Sequence, residues 1–392
     1  MKQRIKKSVA IITFHFPQNN GAVLQNIALC EVLRRIGFCP KVIDYRPKYH
    51  TNVYRPIRNP FLSACAIFRH CEGSLLKKIY KFVRNTVSNI ISERYCVRRF
   101  RLQKKFDSYI EEMLPLTKRY ETIEQLRQDA PNCEAYIAGS DQIWNPIITN
   151  QTLDLAYMLD FGTEHVLRIG YAISEYMNEN DIASVQQYLA KFHALSFREE
   201  NSANKFKQYY KGACHVLDPT LLIDAEDYEK YEKIVEDVPE KYILFIGLKN
   251  SKGAGELLEI LRQVYARMQM QIVDISPTDY RISFGTNIKK CVSPGEFLHL
   301  IKNAEFVVTN SFHAMAFSVL YKKQFSISLP GHKKDRLVSL LKLIGLSDYI
   351  YDEQKRRVNY QTIDYEEAHE KLHELRQNSY QFLEQSLLRE NK

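Results

Sequence analysis

The sequence predicts an α/β protein built from two doubly wound halves, and three observations carry that prediction. Residues 9–37 read as an apolar strand, a polar loop from His15 to Asn20, Gly21, and an amphipathic helix ending at Gly37. A second apolar run, Tyr242–Gly247, opens another strand-loop-helix unit late in the chain. At 392 residues with 45% hydrophobic side chains, the chain is too long for one ordinary core and suits two domains of similar size.

The elements follow in order. Pro40–Asp44 closes a βαβ unit with the first strand, and residues 46–62, with Pro47, Pro56 and Pro60, read as loop. A basic helical insertion occupies about 63–113. Strands are expected at Ala135–Ala138, ended by Gly139, at Arg168–Ile173 and at Ala194–Phe197, with a helix over Ile182–Lys191. Residues 201–211 read as helical and Cys214–Leu217 as extended; Asp224–Lys241 is charged and weakly patterned. The second half continues with strands at Gln271–Ser276, Phe306–Thr309 and Gln324–Ser328, with helices from 310 through Leu320 and over Asp335–Ile344. The resulting domains are 1–190 and 191–365, with a helix over 366–392 packing back on the first.

Eight cysteines show no Cys-x-x-Cys pair and no zinc-type histidine spacing, as expected of reduced thiols in a cytoplasmic protein with no metal site. The lysine-rich start imitates a secretion signal, but its apolar run is short and ends at His15, so it reads as a strand. Net charge is +9, and residues 69–105 alone carry +9, eleven Lys or Arg against Glu72 and Glu93. Interleaved with Leu75, Leu76, Ile79, Phe82 and Val83, that stretch reads either as a surface for an anionic partner such as lipid head groups, at about 1 kcal/mol per basic residue, or as a solvated helix face. No RNP, zinc or helix-turn-helix signature supports a nucleic-acid partner.

Open parallel sheets bind ligands beyond the carboxyl ends of their strands, so the loops after the strands supply the candidate site. After Phe306–Thr309, Ser311-Phe312-His313 opens a helix whose free amides suit phosphate, with His313 placed to exchange protons. Taken alone, Ser311 is a helix cap, and a lone histidine at a helix start such as His313 is more often structural than functional. After Ala138, the loop holding Asp141, Trp144 and Asn145 can bind a sugar by carboxylate and aromatic face, or merely cap a turn and fill an interface. Arg198 ends a strand, where it projects into a cleft or pairs with a carboxylate. Lys249 and Lys252, and the group His332, Lys333, Lys334 and Arg336, lie on further basic loops.

Taken together, these pieces resemble the polysaccharide pyruvyl transferases. The resemblance rests on Asn19-Asn20-Gly21-Ala22-Val23-Leu24-Gln25, Ala138-Gly139-Ser140-Asp141-Gln142-Ile143-Trp144-Asn145, Phe197-Arg198-Glu199, Leu217-Asp218-Pro219-Thr220 and Thr309-Asn310-Ser311-Phe312-His313-Ala314, in the family's order. It implies two Rossmann-like domains facing each other in the manner of GT-B glycosyltransferases, and transfer of a pyruvyl group from phosphoenolpyruvate onto two hydroxyls of a sugar. The first domain would hold the acceptor through Asn20, Gly21, Gln25, Asp141, Trp144 and Asn145. The second would hold the donor through Arg198, Ser311, Phe312, Lys249, Lys334 and Arg336. His313 and Asp141 are the candidate catalytic residues, and phosphoenolpyruvate is a co-substrate, with no cofactor. One departure stands out: the family's Arg-Leu-His is Ser311-Phe312-His313 here, so a donor-binding arginine is missing.

The expected acceptor is a galactose- or mannose-type hexose on a lipid-linked saccharide for surface polysaccharide, handled by a cytoplasmic enzyme peripheral to the inner membrane face. The alternative on the same architecture is a glycosyltransferase using a nucleotide sugar. A nicotinamide cofactor is disfavoured because the first turn lacks Gly-x-Gly-x-x-Gly.

Overall fold

The computed structural model describes residues 7–54, 74–149, 151–248, 254–277, 280, 282–329 and 334–388. In chain order the first half comprises β1 (Ser8–Ile12), α1 (Asn20–Arg35), β2 (Cys39–Tyr45), α2 (Lys48–Tyr54), α3 (Leu75–Met113), β3 (Leu116–Tyr120), α4 (Ile123–Gln128), β4 (Ala135–Ala138), β5 (Asp141–Trp144), β6 (Leu167–Glu175), α5 (Glu179–Leu189), β7 (Ala194–Phe197), α6 (Glu200–Phe206) and β8 (Cys214–His215). There follow 3-10 turns at Pro219–Leu221 and Glu226–Tyr231, then β9 (Tyr242–Ile246), α7 (Ala254–Met268), β10 (Gln271–Asp274), β11 (Asn287–Lys289), α8 (Pro294–Asn303), β12 (Phe306–Thr309), α9 (Phe312–Leu320), β13 (Gln324–Ile327), α10 (Lys334–Leu343) and α11 (Glu366–Leu387).

Two parallel sheets result. The first runs β3-β2-β1-β4-β6-β7-β8, with β5 pairing on β6, and the second runs β11-β10-β9-β12-β13. Strands such as Tyr242–Ile246 are buried at every residue, because a parallel sheet covered by helices on both faces leaves no polar side. One apolar cluster passes from Val9 and Ile11 through α1 to Leu244 and Val307, so the two sheets share a core layer; separate clusters cover their outer faces.

Three expectations need correction. The first sheet does not end near 190, because β7 and β8 continue its parallel pairing through Phe197 and His215. Residues 48–54 form a helix rather than loop. Asp141–Trp144 is a strand: nine-residue β6 is long enough to pair with β4 through Leu167–Gly170 and with β5 through Ile173 and Glu175. The chain breaks between β4 and β5, with Asp141 at φ 81°, and β6 shifts register beside it, with Ala172 at φ 51°. Non-glycine residues in that region cost about 1–3 kcal/mol each, strain that tends to collect at functional loops.

Helix α11 returns to the first half. Ser379 Oγ accepts from the Leu217 amide at 3.0 Å and donates to Leu375 O, and Phe382 lies 6.1 Å from Tyr171 of β6. Replacing Ser379 with Ala strands that buried amide and should lower unfolding free energy by about 1–3 kcal/mol, read by urea denaturation.

Candidate active site

In each sheet the strand order reverses once, between β1 and β4 in the first and between β9 and β12 in the second. Such reversals open a crevice between the loops leaving the two strands. The loops after β1, β4 and β12 supply Thr13, Ser140, Asp141 and Ser311–His313, and β7 ends at Arg198.

The group that joins them is Asp218, fully buried ahead of the turn at Pro219. Its Oδ1 accepts from the Thr220 amide (3.0 Å) and hydroxyl (2.7 Å), which caps that turn. Its Oδ2 accepts from Arg198 Nη1 and Ser140 Oγ, both at 2.8 Å, and lies 3.8 Å from His313 Nε2. Behind Ser140, Thr13 Oγ1 donates to the Ser140 carbonyl and accepts from Gln25 Nε2. A single polar network thus runs from α1 to α9. Burial pushes the Asp218 carboxyl up, but His313 and Arg198 outweigh it and hold it well below the usual carboxylate range.

The Arg198 side chain is 2% exposed; its Nε donates to Glu199 at 3.2 Å and its guanidinium lies 4.5 Å from the Phe312 ring centre. Its Nη2 and the His313 Nε2 are buried without a hydrogen-bond partner among the described residues. Burial pushes the Glu199 carboxyl up against the pull of Arg198 and Arg336, while Ser174 Oγ donates to it. The charge of Arg336 thus reaches this cluster, and its Nε is buried without a hydrogen-bond acceptor among the described residues. The side chains of Lys249 and Lys334 lie outside the described residues.

The resemblance leaves Ser311 where an arginine was expected, and the structure gives the residue a local task. Ser311 Oγ caps α9 by accepting from the Ala314 amide, and its own amide donates to Thr309 Oγ1. The amides of Phe312 and His313 belong to the first turn, which a helix leaves without intrahelical acceptors. Phe312, expected at the donor, is buried between Arg198 and the His313 ring. Gly21 explains itself here: a Cβ on it would fall 2.0 Å from the His313 ring, so only glycine lets α1 and α9 meet.

On the first-domain side the expectations divide. Gln25 is fully buried, and the side-chain oxygens of Asn20, Gln25 and Asn26 are buried without a donor among the described residues. Asp141 is 5% exposed, its Oδ1 accepting from the Gln142 amide, and its charge reaches both Arg198 and His50. Trp144 is no sugar platform. It is fully buried against Phe192, Phe197 and Phe206, and Nε1 donates to Tyr157 O. Asn145 caps a turn, its Nδ2 on Gln142 and its Oδ1 on the Ile147 amide.

Two histidines that sequence reasoning passed over sit beside this site. His15 Nε2 lies 2.8 Å from Asp44, which also accepts from Arg46 and Arg119. His50 lies among Phe14, Phe16 and Tyr49, and burial pushes it down to about 4 despite Asp141. The polar loop at 15–20 was the only signal for His15, and the stretch around His50 read as loop. Among the described residues, no group of three or more His, Cys, Asp or Glu could hold a metal ion. No helix among them is long and apolar enough to cross a membrane.

The polysaccharide pyruvyl transferase family model matches residues 19–327. No curated protein matches the chain. Similar solved structures include an S. aureus MnaA–UDP co-structure (10% identity, TM-score 0.49, covering 97% of this chain and 91% of that one). Others are UDP-GlcNAc 2-epimerase from Methanocaldococcus jannaschii (11%, 0.47, 95% and 99%) and CalG4, the calicheamicin glycosyltransferase (10%, 0.42, 96% and 95%).

Two outcomes test this geometry. Gly21→Ala should destabilise the protein by about 1–3 kcal/mol, and the loss should shrink in a His313→Ala background, read as a double-mutant cycle of thermal unfolding. Because Asp218 titrates lower when folded than when unfolded, its stabilisation is complete above its ordinary value of 3.8 and fades as pH falls below it. Asp218→Asn should therefore flatten the acid limb of the stability curve, at a cost near neutrality of about 3–5 kcal/mol.

Proposed function

We propose that this chain, which belongs to the polysaccharide pyruvyl transferase family, moves the pyruvyl group of phosphoenolpyruvate onto two hydroxyls of a hexose in a lipid-linked polysaccharide precursor. The observation that carries the reading is the pair of nitrogens Arg198 Nη2 and His313 Nε2, each buried with no hydrogen bond among the described residues, beside the one buried carboxylate of Asp218 at the start of α9.

The chemistry maps onto these groups. A proton added to the methylene carbon leaves the central carbon electrophilic, and a sugar hydroxyl bonds to it. The carbon–oxygen bond to phosphate breaks, and a second hydroxyl closes the ketal. Two hydroxyl protons are released; one balances the methylene proton and the other leaves with phosphate. His313 exchanges these protons, its ring set by Gly21 and Asp218. Arg198 and the first amides of α9 hold the anionic donor, with Arg336 adding positive charge. Asp141, on strained backbone, and the buried side-chain oxygens of Asn20 and Gln25, without a donor among the described residues, supply acceptors suited to sugar hydroxyls on the acceptor side. Support for the cationic part comes from the Phe312 face: it holds the guanidinium of Arg198 in place of a second arginine at 311.

His313→Ala should lower kcat about 10²–10⁴-fold with the fold intact. Arg198→Lys should chiefly raise KM for phosphoenolpyruvate, and Asp141→Asn should chiefly raise KM for the acceptor. Phosphate release from phosphoenolpyruvate with a lipid-linked hexose reads all three. Consumption of a nucleotide sugar without phosphate release would replace this reading with a glycosyltransferase.

A further inference from the structure

The amino-terminal third of α3 exposes an unusual face. Leu75, Leu76, Ile79, Tyr80, Val83 and Val87 are between 46% and 80% exposed. At 3.6 residues per turn these six fall within an arc of about 140°, and Lys77, Lys78, Lys81 and Arg84 fill the arc of about 120° beside it. From Leu75 to Ser92 the sequence holds no acidic residue. An exposed apolar stripe bordered by cations is the pattern of a helix lying in a lipid interface, its apolar side chains below the head groups and its cations among them.

We propose that this stretch of α3 docks the protein on an anionic membrane surface. The charge pattern selects that occupant. A second copy of the chain would set identical cationic flanks against each other, and a nucleic acid would satisfy the cations while leaving the apolar stripe in water.

The same helix reaches the site. Its carboxyl-terminal part buries Phe106, Tyr109 and Ile110, and Tyr109 donates to the Tyr231 carbonyl. Gln18, in the loop after β1, donates to Gln103, and Arg46 pairs with Asp107. The α3 residues at those contacts lie about 30–40 Å along the helix from Val83. A docked α3 would therefore hold the crevice at a fixed height above the lipid.

The test is co-sedimentation of the full chain with vesicles of phosphatidylcholine alone or mixed with phosphatidylserine, and it needs no turnover, so it fails or succeeds apart from the pyruvyl-transfer reading. The protein should sediment with the mixed vesicles only, and less as salt is raised. Each Lys→Gln or Arg→Gln change among Lys77, Lys78, Lys81 and Arg84 should weaken partition about fivefold. Leu76→Gln, Ile79→Gln and Val83→Gln together should weaken it more than about tenfold with circular dichroism unchanged. The proposal is overturned if the wild type stays in solution or the apolar triple variant binds equally well. It is also overturned if duplex DNA is bound as tightly as the vesicles, or if the chain is a dimer that the triple variant splits.

Discussion

A buried carboxylate needs partners, and the partners of Asp218 decide how this molecule is assembled. Its two oxygens hold the Pro219 turn, the end of β7 through Arg198 and the β4–β5 break through Ser140, and they face His313 across the join between the two sheets. An arginine as enclosed as Arg198 would be untenable without that charge and Glu199. The electrostatic requirement and the apolar continuity between the sheets therefore act together: each places α9 against α1, and each depends on the close approach that Gly21 permits.

The site is a consequence of topology as much as of composition. Parallel strands deliver every loop to the same edge, and the order reversals at β1/β4 and β9/β12 open a crevice at that edge in each sheet. Polar groups that are sequence-distant then share one small volume, where low dielectric strengthens each interaction. Most of their hydrogen-bonding capacity is spent on one another. Among the described residues the exceptions include Arg198, His313 and Arg336 on one side and Asn20, Gln25 and Asn26 on the other, groups that a substrate would complete on the proposed reading.

Much of the fold was legible because buried parallel strands are short apolar runs, and both strand-loop-helix openings stand out at Val9 and Tyr242. Less legible was β5, whose Asp141-Gln142-Ile143-Trp144 reads as polar loop; only the length of β6 reveals that it is paired and that Trp144 must enter the core. Helix α8 carried a readable signal, the capping box of Ser293 and Glu296 around Pro294, that periodicity alone overlooked. In the site, His313, Arg198 and Gly21 were picked out by position after strands. Asp218 stood within a matching motif, but its role depends on partners 20, 78 and 95 residues away, a relation no local pattern encodes. His15, Arg46 and His50 were hidden for the same reason.

The account rests on one anion lying between the Arg198 guanidinium and the start of α9. A crystal structure of the protein soaked with phosphoenolpyruvate measures this directly. The account predicts the phosphate or carboxylate within hydrogen-bond reach of Arg198 Nη2 and the amides of Phe312 and His313, with His313 Nε2 facing the enol carbons. Donor density elsewhere in the crevice, with Arg198 and His313 still turned only to Asp218, would contradict it.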